Sequence, residues 1–177
     1  MKQNESDQAR RERVYAMLDN LGIQYGKIEH PPIFTQADSE LRPVETEAII
    51  FKNLFLRNKD KSRYYLYCLP LTKRANLTAV AKELGETRLS FGDENALKEK
   101  LNIKHGAVSF LNAIETASTD VLFLIDSSAL FYDQIGVHPN DNTATVTLKP
   151  RDIEKILAAC GAKYRFLSVE SGSDNIG

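Results

Sequence analysis

Between residues 7 and 21 the apolar positions recur at helical spacing. Val14, Met17, Leu18 and Leu21 lie three or four apart, and Gly22 follows as a stop. The next segment, "IQYGKIEH" (23–30), reads as a strand, and "HPP" after it excludes helix because each proline restricts the residue before it. "FTQADSEL" predicts a short helix with Thr35 as its cap. Two apolar runs, "AIIFKNLFLRN" and "RYYLYCLPL", are joined by "NKDKS" and predict a hairpin. "NLTAVAKELG" carries Leu77, Val80, Ala81 and Leu84 on one helical face and ends in Gly85. "DENALKEKLNI" predicts a further helix capped by Asp93. A loop, "KHGAVSFLNAIETAST", leads to "DVLFLID", a strand of the fully buried type. "IGVHPNDNTATVTLKP" (135–150) reads as a second hairpin turning at Pro139, Asn140, Asp141 and Asn142. The last helix, "PRDIEKILAACG", opens on Pro150 and closes on Gly161, and "KYRFLSV" predicts a final strand.

Helices and strands are interspersed, yet two hairpins require antiparallel pairs. The pattern predicts an α+β fold with a mixed sheet rather than a doubly wound parallel one. At 177 residues the chain suits one domain, residues 1–170, followed by a polar C-terminal tail over 171–177.

Composition narrows the function classes. The 42% hydrophobic and 27% charged fractions are those of a globular chain. No apolar run approaches a membrane span, and the N-terminal "MKQNESDQARRERVYAML" is too polar for a signal peptide, so a cytoplasmic address and no membrane partner are expected. The net charge of -1 gives no global attraction to nucleic acid, so any such contact needs a local patch. Cys68 and Cys160 stand far apart without a C-x-x-C, and His30, His105 and His138 have no partner at ligand spacing. Neither a metal nor another cofactor is expected, and no nucleophile elbow or phosphate loop is present.

A few residues depart from the pattern. Lys52 and Asn53 interrupt an apolar strand; the lysine is either a guard against edge pairing or a cation at a cleft. In a regular strand Asn53 points to the other face, so both serve one site only if the strand twists, bulges or ends there. His138 is either a strand-end imidazole bonded to turn backbone or one wall of a site. Arg57, Lys59, Lys61 and Arg63 form a basic hairpin tip, either solvated or steering a polyanion, and Lys73 and Arg74 would extend it.

Four segments taken together resemble a known family. "EHPPIFT" (29–35), "FKNLFLRNKDKSRYYLYCLP" (51–70), "AKELGETRLSFGDENALKEKLNI" (81–103) and "HPNDNTATVTLKPRDIEKIL" (138–157) follow the order and spacing of freestanding prolyl-tRNA editing proteins. These are YbaK-like aminoacyl-tRNA deacylases, relatives of the insertion domain of bacterial prolyl-tRNA synthetases. The "KNLFLR" and "HPNDNTATV" blocks resemble the branch that removes alanine.

The resemblance implies a mixed, partly barrel-like sheet flanked by helices, with a cleft for the aminoacylated terminal adenosine of tRNA(Pro). It implies catalytic roles for Lys52 and His138 and a substrate-binding role for Asn53. It assigns the substrate loop to Gly106, Ala107, Val108, Ser109 and Phe110, the last standing where the family's G-x-x-x-P loop has proline. The basic tip would then meet tRNA, with prolyl-tRNA synthetase as a transient partner. The reaction implied is hydrolysis of a mischarged alanyl ester by a positioned water and backbone oxyanion donors, without metal. Two other readings stand beside it: a regulatory module that binds tRNA or amino acid without turnover, and a deacylase for cysteinyl- or seryl-tRNA. Since the sequence holds no ligand cluster, deacylation is expected to survive exhaustive chelation; loss of activity restored by added zinc would contradict the metal-free reading.

Overall fold

The computed structural model describes residues 6–41, 43–115 and 120–173. Helix α1 (Asp7–Asn20) starts at Ser6, whose hydroxyl accepts from the Ala9 N–H, and it buries Val14, Tyr15 and Leu18. Strand β1 (Tyr25–Glu29) and the short helix α2 (Gln36–Leu41) follow, and the Thr35 hydroxyl accepts from the Asp38 N–H at 3.1 Å as the predicted cap. The first predicted hairpin is β2 (Ile49–Asn58) with β3 (Tyr64–Pro70), in antiparallel register from Phe51↔Pro70 to Arg57↔Tyr64. Helix α3 (Leu77–Leu84) is capped by Asn76 and ends at Gly85 in the left-handed conformation. Asp93 caps α4 (Glu94–Leu101) through the Ala96 N–H. Strand β5 (Val121–Asp126) is buried as predicted. The second hairpin is β6 (Ile135–Val137) with β7 (Ala144–Leu148), and α5 (Ile153–Ala159) and β8 (Lys163–Leu167) complete the fold.

The strands form one mixed sheet in the order β1-β7-β6-β2-β3-β5-β8. The path is open, ending at β1 and β8, so the partly barrel-like sheet is not a closed ring. Hydrophobic alternation could not reveal the parallel pairs β2–β6, β3–β5 and β5–β8, because a strand buried on both faces looks alike in either direction. Alternation does set the layers. Phe51, Phe55, Leu66, Cys68, Val121, Phe123 and Ile125 face a large core shared with α1, α4 and α5. Leu56, Tyr65, Tyr67, Leu69 and Leu124 face the opposite side, under Val80 and Ala81 of α3.

Three features were not in the sequence pattern. A short strand, β4 (Leu89–Phe91), pairs antiparallel with the far end of β2. The predicted loop over 104–119 contains a 3-10 turn at Phe110–Ile114, and residues 116–119 lie outside the described residues. A second 3-10 turn, Ser127–Phe131, follows β5. Of the predicted tail over 171–177, Gly172 donates to the Arg74 carbonyl at 3.0 Å, and residues 174–177 lie outside the described residues.

Gly92 fixes how β4 meets β2. Its N–H donates to the Phe55 carbonyl at 2.9 Å, and a β-carbon there would overlap the Phe55 ring. That ring cannot move freely, being buried and stacked on Tyr64 at 5.5 Å between centroids. Gly92→Ala is therefore expected to cost about 1–3 kcal/mol of stability, read as a Tm lowered by roughly 2–10 °C. Adding Phe55→Leu should recover part of it; an unchanged Tm in the single variant would refute this packing.

Candidate functional site

A strand has two edges, and one edge of β2 is fully used by β3. The other is divided: β6 pairs with Ile49 and Ile50, and β4 pairs with Leu56, Arg57 and Asn58. Between them residues 51–54 have no strand partner on that edge among the described residues. The Ile50 carbonyl accepts from Leu71 on the β3 side, and the Phe55 carbonyl accepts from Gly92 on the other. Alternation along the strand therefore sends the N–H and C=O of Asn53 into the gap.

A cavity of about 410 Å³ opens there, a size suited to a small ligand. Its lining includes Lys52, Asn53, Gly106, Val108 and His138, brought together from distant parts of the chain. Residues from both faces of β2, Lys52 and Asn53 among them, line this one opening at the broken edge. Asn53 brings a buried side-chain oxygen, Oδ1, that accepts no hydrogen bond. Lys52 is half-buried; burial, reinforced by the nearby Arg74 charge, holds its pKa below the ordinary 10.5.

His138 is fixed by its own hairpin. Its Nδ1 lies 3.0 Å from the Ala144 carbonyl, which can only accept, so the proton sits on Nδ1 and the Nε2 lone pair is left free. Burial pushes its pKa below the ordinary 6.5, with His30 acting in the same direction against the pull of that carbonyl. His30 stands 5.9 Å away between ring centroids. Its Nδ1 lies 2.9 Å from the Pro31 carbonyl, so its Nε2 accepts from the Thr145 hydroxyl at 2.8 Å in the neutral ring.

Only part of the loop beside them lines the cavity. Gly106 has a φ of +91°, and a β-carbon there would lie 3.3 Å from the Phe34 ring and 3.4 Å from the Asn142 amide. Only glycine suits both the conformation and the close approach. Gly106 and Val108 line the cavity, whereas Ala107, Ser109 and Phe110 do not. Phe110 and Ser109 are fully buried, Phe110 in the main core, where an apolar ring gains more than it would beside a polar ligand. The Ala107 N–H donates to Lys104 at 3.2 Å, and the Ser109 N–H donates to the Asn112 side chain at 2.9 Å. That leaves Gly106 and Val108 as the loop's candidate amides.

The basic tip lies apart from this cavity. From Lys52 to Arg57 is five residues of strand, roughly 17 Å. Arg57 donates to the Asn58 carbonyl at 3.2 Å and Arg63 pairs with Glu86 at 3.4 Å, while Lys59 and Lys61 are exposed. Lys73 does not extend the patch, because it pairs with the buried Asp126 at 2.7 Å; Arg74 donates to the Ser173 carbonyl at 3.2 Å. Among the described residues no three His, Cys, Asp or Glu side chains stand together as metal ligands, and no helix is long and apolar enough to cross a membrane.

Sequence reasoning missed Thr145, Phe34 and Phe91 as part of the wall, and His30 as the residue that bonds Thr145 from behind it. For Thr145 a signal existed: three alternating threonines, 143, 145 and 147, on a strand whose other face is apolar. For Phe91 there was none, since β4 is only three residues long.

Four similarities to known proteins bear on this arrangement. The model of the aminoacyl-tRNA editing domain matches residues 30–156. The chain is 34% identical over 163 residues to prolyl-tRNA editing protein ProX of Acetoanaerobium sticklandii, covering 92% of this chain and 99% of that one. It is 35% identical over 139 residues to the prolyl-tRNA synthetase associated domain-containing protein 1 of Bos taurus, covering 76% and 81%. The solved structure of a proposed trans-editing enzyme for prolyl tRNA synthetase superposes with a TM-score of 0.67 at 18% identity, covering 92% of this chain and 98% of that one, and shares the fold.

Nitrogen NMR of the imidazoles tests the geometry directly. The His138 ring should carry its proton on Nδ1 and titrate below pH 6.5. Because the unfolded chain binds this proton first, stability should rise with pH between the folded value and 6.5. A His138 that titrates at or above 6.5, or that is protonated on Nε2 when neutral, would contradict the assignment.

Proposed function

The chain belongs to the aminoacyl-tRNA editing domain family, and on that premise we propose that it hydrolyses the ester linking alanine to the terminal adenosine of a proline tRNA. The observation that carries this reading is the convergence of Lys52, Asn53, Gly106 and His138 on one cavity at the broken edge of β2. Such an ester is already activated, so its hydrolysis needs a positioned water and a stabilised oxyanion rather than a strong nucleophile. The Gly106 and Val108 amides supply the oxyanion donors. Lys52, with its charge in a partly desolvated place, anchors the ribose-phosphate. The bare Oδ1 of Asn53 accepts from the α-ammonium of the amino acid, which removes the cost of a buried oxygen left without a donor. His138 offers its Nε2 lone pair to the free ribose hydroxyl, orienting the end of the tRNA.

Alanine is the amino acid this logic favours. A synthetase pocket built for proline cannot strongly reject a smaller side chain, because each missing methylene changes binding by only ~1–3 kcal/mol. A second site that admits alanine and excludes the proline ring sterically corrects the error. Arg57, Lys59, Lys61 and Arg63 stand at a distance that suits phosphates beyond the terminal nucleotide, and a transient meeting with prolyl-tRNA synthetase would supply the substrate.

Release of amino acid from proline tRNA charged with alanine, cysteine, serine or proline tests the assignment. Alanine should leave fastest and proline should remain. Lys52→Ala should reduce the rate sharply while changing stability by no more than about 1 kcal/mol, and His138→Ala should also slow turnover. Fastest release of cysteine or serine would reassign the substrate. Tight binding of charged tRNA without release of any amino acid would make the protein a binding module.

A further inference from the structure

The turn after His138 does more than reverse the chain. Asn140 and Asp141 are buried, at 0% and 4% exposure, where turn residues normally meet water. Asn140 has a φ of +61°, a left-handed conformation that asparagine tolerates better than most residues. Its side-chain oxygen accepts from Asn112 Nδ2, and its Nδ2 donates to the Leu111 carbonyl at 3.5 Å and to Glu115 Oε1 at 3.4 Å. Asn112 in turn donates to the Ala107 carbonyl at 3.4 Å and accepts from the Ser109 N–H at 2.9 Å. One amide pair thus ties the hairpin that carries His138 to the loop that carries Gly106 and Val108.

The same turn holds a third wall. The Asn142 carbonyl accepts from the Ile33 N–H at 3.2 Å, and the Thr143 carbonyl accepts from the His30 N–H at 2.9 Å. Helix α1 braces the assembly from outside. Arg11 pairs with Asp141 at 3.3 Å, and Arg13 holds both oxygens of Glu115 at 2.6 Å.

We propose that Asn140 is a positioning residue for the deacylation reaction, holding the His138 hairpin and the Gly106–Val108 amides at a fixed separation through its amide pair with Asn112 together with its donor to the Leu111 carbonyl. The inference rests on the proposed function, since it gives a task to the same site. It explains why asparagine stands there. Glycine would keep the backbone conformation and lose the tie, and an aspartate would keep the shape and lose the donor facing Leu111 and Glu115. A donor lost in this place moves the oxyanion amides relative to the ester without removing any group that touches it.

The test compares Asn140→Gly, Asn112→Ala and Asn140→Asp with Leu167→Ala, a core truncation in β8, three strands from β2 and on the opposite face of the sheet from the loop, all assayed well below their Tm. Asn140→Gly and Asn112→Ala should each lower kcat by roughly 100-fold, the scale of a misplacement near 1 Å, with KM for the charged tRNA unchanged. The core variant should lose Tm and keep kcat. Asn140→Asp gives a signature that a merely structural role would not. The charged groups around the new carboxyl are Glu115 with Arg13, and Asp141 with Arg11. Beside Glu115 and out of water the carboxyl holds its proton more tightly, and the protonated form regains a donor. Its activity relative to wild type should therefore rise as the pH falls from about 8 to about 6. A wild-type kcat in Asn140→Gly, or a flat ratio for Asn140→Asp, would overturn the inference. If the wild-type protein releases no amino acid, the function reading fails and a second measurement decides this one. The Gly106 and Val108 amide resonances should then shift in Asn140→Gly and stay in place in Leu167→Ala; unmoved resonances in Asn140→Gly would overturn it.

Discussion

The divided edge of β2 is the constraint on which the rest depends. A sheet satisfies backbone groups by pairing them along both edges of each strand. Here β6 and β4 take opposite ends of one edge and run in opposite senses relative to β2, parallel and antiparallel. Two such partners cannot merge into one continuous strand, so a stretch of β2 between them stays open. In most proteins an open edge is a hazard that invites another chain. Here His138, Gly106 and Phe34 stand around it with Lys52 and Asn53, and the opening becomes a cavity.

The groups around that cavity are matched in charge state. Burial lowers the pKa of both Lys52 and His138, but from different starting points. The histidine, lowered from 6.5, is uncharged at neutral pH and presents a lone pair beside the lysine side chain. The Ala144 carbonyl chooses which nitrogen carries that lone pair. A simple backbone contact within the hairpin thereby sets the chemistry of the imidazole, with no carboxylate needed to orient it.

Legibility in the sequence followed physical range. Elements governed by local rules were readable: the Thr35 and Asp93 caps, both hairpins, and the stops at Gly22 and Gly85. Parallel pairing was not, because it depends on contacts between segments far apart in the chain. The site divides in the same way. Lys52, Asn53 and His138 stood out as polar residues where the pattern called for apolar ones, and family resemblance joined them. Phe110, Ser109 and Ala107 were drawn in by their place in a motif, while the core and the capping hydrogen bonds claim them. His30 and Thr145 lie within segments that carry the resemblance but were given no role there, and their meeting follows from β1 lying beside β7.

That pairing has a consequence for how the molecule comes into being. Strand β1 is an end strand whose one neighbour, β7, is made more than a hundred residues later on the ribosome. Until residues 144–148 emerge, the first strand has nowhere to dock, and β6 lacks its hairpin mate as well. Synthesis runs from the N-terminus, and such long-range closures come last and slowly. The cavity draws on residues from 33 to 145, so it is among the final parts to take shape. A nascent or truncated chain short of β7 holds every basic residue of the hairpin tip and no finished pocket. Its basic surface is complete before its cavity is.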